Sequence, residues 1–268
     1  MKRSQYLHLI LPALLASGLL LPAAEGDTSH NSSKLAAAQK GKKSQATFST
    51  GVSTIEMNAA DNVLAKHNII LFIDQSGSMA KQDCPGGLSR WDWCAEQSGD
   101  LARRLSKFNQ DNLTMIPFAT TYSVHPSCSP DMVEKIFQSQ KPEGNTNLLE
   151  PLAIQLAHYI ANPGPSRRPL VIAIITDGRP AKEQEIEDAI VNTTKHMQNQ
   201  SEVSIVFLQI GNAFNGKHFL NEMDEHLVEH GAKFDIVSVR TFDSLARLGL
   251  AQNLANAIVE VEQQGKNQ

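Results

Sequence analysis

Apolar residues in this chain fall into two kinds of run that alternate along its length. The first kind is short and unbroken. Ile69 to Ile73, Leu113 to Phe118, Leu170 to Ile175, Val203 to Ile210 and Phe234 to Val239 are each dominated by branched or aromatic side chains and bounded by polar sequence. Such runs predict strands buried on both faces, as in a parallel sheet covered by helices. The second kind is a stripe at helical spacing. Leu148, Leu149, Leu152, Leu156 and Tyr159-Ile160 form one; Ile186, Ile190 and Met197 mark the next. Phe219, Leu220, Met223 and Leu227 form a third, ending near Gly231, and Leu254, Ile258 and Val261 a closing fourth. Thr120 to His125 is expected to return antiparallel at the sheet edge, where neighbouring prolines do least harm. The alternation argues for an α/β fold with helices on both faces.

A further helix is predicted from about Arg90, with Ser89 as its cap. Trp91, Cys94, Leu101, Leu105 and Phe108 fall near one face, while Arg103, Arg104 and Lys107 point outward. Trp91 then reads as core, and Trp93 as exposed enough to touch a partner. Ser129-Pro130-Asp131 opens a short helix with proline in its first turn. Cys84 and Cys94 flank the loop ahead of the Trp91 helix. In an oxidising compartment a disulfide between them would pin that loop; otherwise Cys94 is a core thiol and Cys84 a free one. Cys128 makes the count odd, so one thiol stays free.

The chemistry concentrates where the first strand ends, in Asp74-Gln75-Ser76-Gly77-Ser78. Three oxygen-bearing side chains at alternate positions of one tight loop can converge on a point. They include no imidazole or thiolate, a donor set suited to Mg²⁺, Mn²⁺ or Ca²⁺ and not to zinc. Two further oxygens lie at similar boundaries. Thr146 precedes the Leu148 stripe, where it could equally cap the helix, and Asp177 follows the strand Leu170 to Ile175.

Asp74, Ser76, Ser78, Thr146 and Asp177, in this order, resemble the metal-ion-dependent adhesion site of von Willebrand factor type A (VWA, integrin I-like) domains. The resemblance spans roughly 66–262. It implies a three-layer, Rossmann-like fold: a mostly parallel six-stranded sheet with one antiparallel edge strand and helices on both faces. It also implies one divalent cation, Mg²⁺ first with Mn²⁺ or Ca²⁺ as alternatives, held by those five residues. The implied function is metal-dependent protein binding, in which a partner presents an Asp or Glu to complete the ion's shell. Asn145 stands where the family usually has a second glycine, and asparagine tolerates the left-handed conformation.

Two alternatives compete with that reading. One is a structural VWA subunit of an envelope or secreted assembly with no metal-gated binding. The other is a Mg²⁺-dependent hydrolase. A dehalogenase-like phosphatase would place a second acid where Ser76 stands, and none of His125, His158, His196, His218, His226 or His230 sits in a triad context. The sequence is therefore not read as an enzyme.

Composition changes this picture little. The net charge of −4 is mild, and no basic stripe suggests nucleic acid. Met1-Lys2-Arg3, an apolar stretch to Leu21 and Pro22-Ala23-Ala24 read as a secretory signal over 1–24. Secretion or a periplasmic location follows, or membrane anchoring if the segment stays uncleaved. Residues 25–65 read as a flexible leader, with a weak strand signal over 46–52; 263–268 read as a polar tail. Asn31, Asn112 and Asn192 match the glycosylation triplet.

Overall fold

Among the described residues five strands form one sheet: β1 (Asn68–Asp74), β2 (Leu113–Phe118), β3 (Leu170–Thr176), β4 (Val203–Gln209) and β5 (Val237–Arg240). The structure, a computed structural model, describes residues 59–108, 113–164, 167–211 and 217–264. The strand order is β2-β1-β3-β4-β5, and every neighbouring pair is parallel. The unbroken apolar runs explain it. Ile69, Leu71 and Ile73 of β1 join Val171, Ala173 and Ile175 of β3 in one core, while Phe72, Ile172 and Ile174 face the opposite core. A strand with two buried faces has no polar side to show, so its sequence carries no alternation.

Helices cover both faces. On the first core lie α1 (Arg90–Leu105), α2 (Pro130–Ser139) and α6 (Phe242–Gln264); on the second lie α3 (Leu149–Ala161), α4 (Glu183–His196) and α5 (Lys217–Glu225). Ser89 caps α1 as expected: its Oγ accepts from the Asp92 N–H at 3.0 Å. Ser129 does the same for α2 at 3.2 Å, with Pro130 in the first turn. The closing helix is longer than its apolar stripe suggested, and it breaks at Gly249, whose φ of 76° only glycine adopts at little cost. Asn253 holds the break by donating from Nδ2 to the Gly249 carbonyl at 2.8 Å.

The expected sixth, antiparallel strand is not formed among the described residues. The 120–125 segment meets β2 at only two isolated bridges, Met115 with His125 and Phe118 with Tyr122. Pro117, inside β2, has no N–H to give, and the chain turns back over Ala119 to Thr121 too tightly for a ladder. The strand expected over Phe234 to Val239 starts later, at Val237.

The leader ends earlier than expected. Residues 59–64 are helical, with Ala60 and Leu64 buried in the first core. Asp61 there accepts from Arg104 Nη1 at 3.2 Å, and Arg104 Nε donates to Asp100 at 2.6 Å, so Arg104 is not the outward charge it was expected to be. The signal over 1–24, the weak strand over 46–52 and most of the polar tail lie outside the described residues. Among the described residues no helix is long and apolar enough to cross a membrane.

Candidate functional site

The chain passes from β1 to β2 on one side, then crosses back to β3 on the other side of β1. Loops leaving the carboxyl ends of β1 and β3 therefore diverge and open a crevice between them, the usual ligand position in such sheets. Ile73 pairs with Ile175, which brings Asp74 beside Thr176.

Four of the five expected residues meet in this crevice. Asp74 is fully buried: its Oδ1 accepts from the Ser76 N–H at 2.8 Å and its Oδ2 from the Thr176 hydroxyl at 2.7 Å. Ser76 and Ser78 Oγ atoms lie 3.1 Å apart across a short 3₁₀ turn, Gly77–Ala80, and Ser78 donates to Asp177 Oδ1 at 2.8 Å. Burial pushes the Asp74 carboxyl up to about 6, against the pull of its bonds to Ser76 and Thr176.

Thr146 is the exception. Its segment does reach the crevice: Gly77 N–H donates to the Gly144 carbonyl at 3.3 Å, and Glu143 N–H to the Gln75 carbonyl at 2.7 Å. Gly144 makes this approach with φ of 79°, its Cα hydrogens against Thr120, where a Cβ would come within 2.6 Å of Oγ1. Yet the Thr146 hydroxyl bonds to none of the four cluster residues; only its carbonyl is engaged, by the Ala181 N–H at 3.2 Å. Nor does it cap α3, whose first turn follows Leu148.

A residue the sequence pattern had not singled out completes the site. Arg90, the first residue of α1, turns its guanidinium into the crevice with only 4% of the side chain exposed. Nη1 donates to Asp177 Oδ2 at 2.5 Å, while Nε and Nη2 grip both oxygens of Asp83 at 2.8 and 2.6 Å. The fork geometry is the one arginine makes with carboxylates. Bonds to Asp83 and then Asp177 hold the guanidinium firmly charged, and Arg90 in turn lowers Asp83 to about 2. Gly211, just past β4 with φ of 69°, leaves the space the guanidinium fills: a Cβ there would come within 2.4 to 2.6 Å of Nη2, Cζ and Nε. Arg90 lies four residues before Cys94 and eleven before Leu101, in phase with the buried stripe. That phase was the available signal.

These contacts overturn the expected metal centre. Among the described residues no group of three or more His, Cys, Asp or Glu side chains could hold a metal ion. Each carboxylate oxygen of Asp74 and Asp177 already accepts a hydrogen bond, from the Ser76 N–H, Thr176, Ser78 or Arg90. A divalent ion within about 4 Å of a guanidinium would also meet a repulsion of several kcal/mol. The residues present do not fit Mg²⁺, Mn²⁺ or Ca²⁺, so the intact adhesion site, the cofactor and the partner acid completing its shell are all withdrawn.

The neighbouring expectations change too. Cys84, Cys94 and Cys128 are free thiols, all buried. Burial raises Cys84 to about 11 and Cys94 well above the ordinary thiol range, which disfavours the thiolate that exchange requires. Trp93 is no partner contact. It is 4% exposed and packs edge-on against Phe242 of α6 at 5.7 Å, while Trp91 packs on Phe137 of α2 at 4.6 Å. The helix is covered on two sides, so more than one stripe is buried.

No active-site chemistry is assembled among the described residues. Ser123 Oγ lies 2.9 Å from His125 Nε2, but no carboxylate orients that ring.

Comparison with known proteins sets this geometry in context. No family model matches the sequence, and among curated proteins no match was found. Solved structures do match. The VWA domain of SpRpn10 is 13% identical over 71% of this chain and 94% of that one, with a TM-score of 0.50. An aerotolerance-related membrane protein from Bacteroides fragilis NCTC 9343 is 15% identical over 72% and 99%, with a TM-score of 0.48. The manganese-loaded Plasmodium vivax TRAP protein is 15% identical over 69% and 72%, with a TM-score of 0.47. At such identities the likeness concerns fold alone: a mixed α/β architecture, mostly parallel, broadly VWA- and Rossmann-like.

Proposed function

We propose that this chain is a structural VWA-like subunit of a secreted or envelope assembly, joined to its neighbours by contacts that require no bound ion. One observation supports this above others: the acids of the crevice are satisfied from within the chain, Asp177 by Arg90 and Ser78, Asp74 by Thr176 and the Ser76 N–H. A site closed in this way has no electrophilic ion to offer a partner's carboxylate. The compartment rests on the charged, apolar and small-residue order of 1–24.

The test uses the full tagged chain, recovered from its own cells and sedimented in buffer containing either EDTA or Mg²⁺. The expected result is one large species of the same size in both. Release of the chain by EDTA, with reassembly on adding Mg²⁺, would overturn the reading, as would a chain that sediments as a monomer in both.

A further inference from the structure

The crevice concentrates negative charge, and the fold supplies its own positive charge. Asp74 ends β1, Asp177 directly follows the adjacent β3, and the loop before α1 adds Asp83. One buried guanidinium meets two of these three acids. It bonds Asp177 on one side and both oxygens of Asp83 on the other, and it lies against the bare Cα of Gly211. Three elements are thereby tied to one side chain: the β3 end, the loop before α1 and the β4 end. The Arg90 N–H also donates to the Lys81 carbonyl at 3.0 Å, fixing the loop that carries Asp83. Lys81 Nζ lies 3.1 Å from Asp83 Oδ2, but its side chain is 66% exposed and adds little.

From this arrangement we infer that Arg90 is a built-in counter-cation: its guanidinium does the charge-balancing that a bound ion does in a site of this shape, and removing it turns the crevice into a cation-responsive one. The inference rests on the reading above, that the native crevice takes no ion, and deepens it by naming the group responsible. The physical content is a competition. Asp177 is buried, and a buried carboxylate must be neutralised by a proton, an ion or an internal charge; Asp83, with 28% of its side chain exposed, is also reached by water. Here the internal charge is covalently attached and pre-positioned at a helix start, so it needs no free ligand and forms with the fold. Taking it away leaves Asp83 and Asp177 without their cation beside Ser76, Ser78 and Asp74. Those are hard oxygen donors, among which a cation can take the place of the guanidinium.

The experiment melts four full-length chains in EDTA and in millimolar Mn²⁺: the parent, Arg90→Gln, Arg90→Lys and the control Arg104→Gln. The parent is expected to melt at one temperature in both. Arg90→Gln should melt about 10 °C lower in EDTA, and Mn²⁺ should recover part of the loss, in melting temperature or, where the chain does not fold in EDTA, in refolded yield. Arg90→Lys keeps a cation without the fork, so it should fall less and ignore Mn²⁺. Arg104→Gln should ignore Mn²⁺ too. The inference is overturned if Mn²⁺ restores neither temperature nor yield to Arg90→Gln, or if Arg90→Lys or Arg104→Gln responds as Arg90→Gln does. A Mn²⁺ shift in the parent is a separate failure, that of the ion-free reading itself.

Discussion

Asp74 is the last residue of β1 and Asp177 directly follows the neighbouring β3, both buried, yet the fold keeps them by opposite means. Asp74 receives only neutral donors, a backbone N–H and the Thr176 hydroxyl, and burial lifts its carboxyl to about 6. Asp177 receives a hydroxyl and a guanidinium at 2.5 Å. Neutral donors leave a buried carboxylate poorly compensated, so it trends toward protonation; a fixed cation balances the charge outright. Two acids that look equivalent in sequence thus differ in what they require of the rest of the chain.

That contrast can be broken from either side. The largest effect should come from Asp177→Ala, which leaves the buried Arg90 bonded to Asp83 alone. Loss of one partner of a buried pair costs about 3–5 kcal/mol, to be read from the urea midpoint. Gly211→Ala should follow, because it both disfavours the local φ of 69° and pushes a methyl into the guanidinium. A loss of about 2–3 kcal/mol is expected, and pairing it with Arg90→Ala should remove most of the steric part. Ser89→Ala takes away the cap that starts α1 at Arg90, for about 1 kcal/mol in the same assay.

Asp74→Asn should be the mildest near neutral pH, within about 1 kcal/mol, since it exchanges a costly charge for one lost acceptor. Its signature is in the pH profile. The folded carboxyl is raised to about 6 from 3.8, so the folded state binds the proton more tightly. Asp74 therefore disfavours folding above about 6 and ceases to as pH falls from there toward 3.8. The parent should gain stability relative to Asp74→Asn over that interval. Asp83 acts in the opposite sense: lowered to about 2, it contributes stability above 3.8 that is lost as pH falls toward 2. Urea midpoints across the acid range separate the two, because the Asp83 loss lies lower and persists in Asp74→Asn.

The strands were legible because a strand buried on both faces carries an unbroken apolar run, and Asp74, Ser76, Ser78 and Asp177 were legible because they end or closely follow such runs. Arg90 was not, although it lies in phase with Cys94 and Leu101. Its partner Asp177 lies 87 residues away, and hydrophobic periodicity says nothing of which distant charge a buried cation will meet. Trp93 was misjudged for a related reason. Helical phase shows one buried stripe well, but α1 is covered by α2 and α6 together, and the second cover comes from the far end of the chain. Thr146 shows the converse: its loop reaches the crevice through backbone bonds, which sequence spacing anticipates, while its hydroxyl stays out of the cluster.

The central claim is that a guanidinium, not an ion, balances Asp177 and Asp83 in this crevice. Crystals of the parent chain grown in millimolar Mn²⁺ test it most directly, through the anomalous signal of the metal. The account predicts no anomalous peak among Asp74, Ser76, Ser78 and Asp177, with Arg90 bonded to Asp177 and Asp83. A Mn²⁺ peak coordinated by the two serines, with the Arg90 side chain displaced from Asp177, would contradict it.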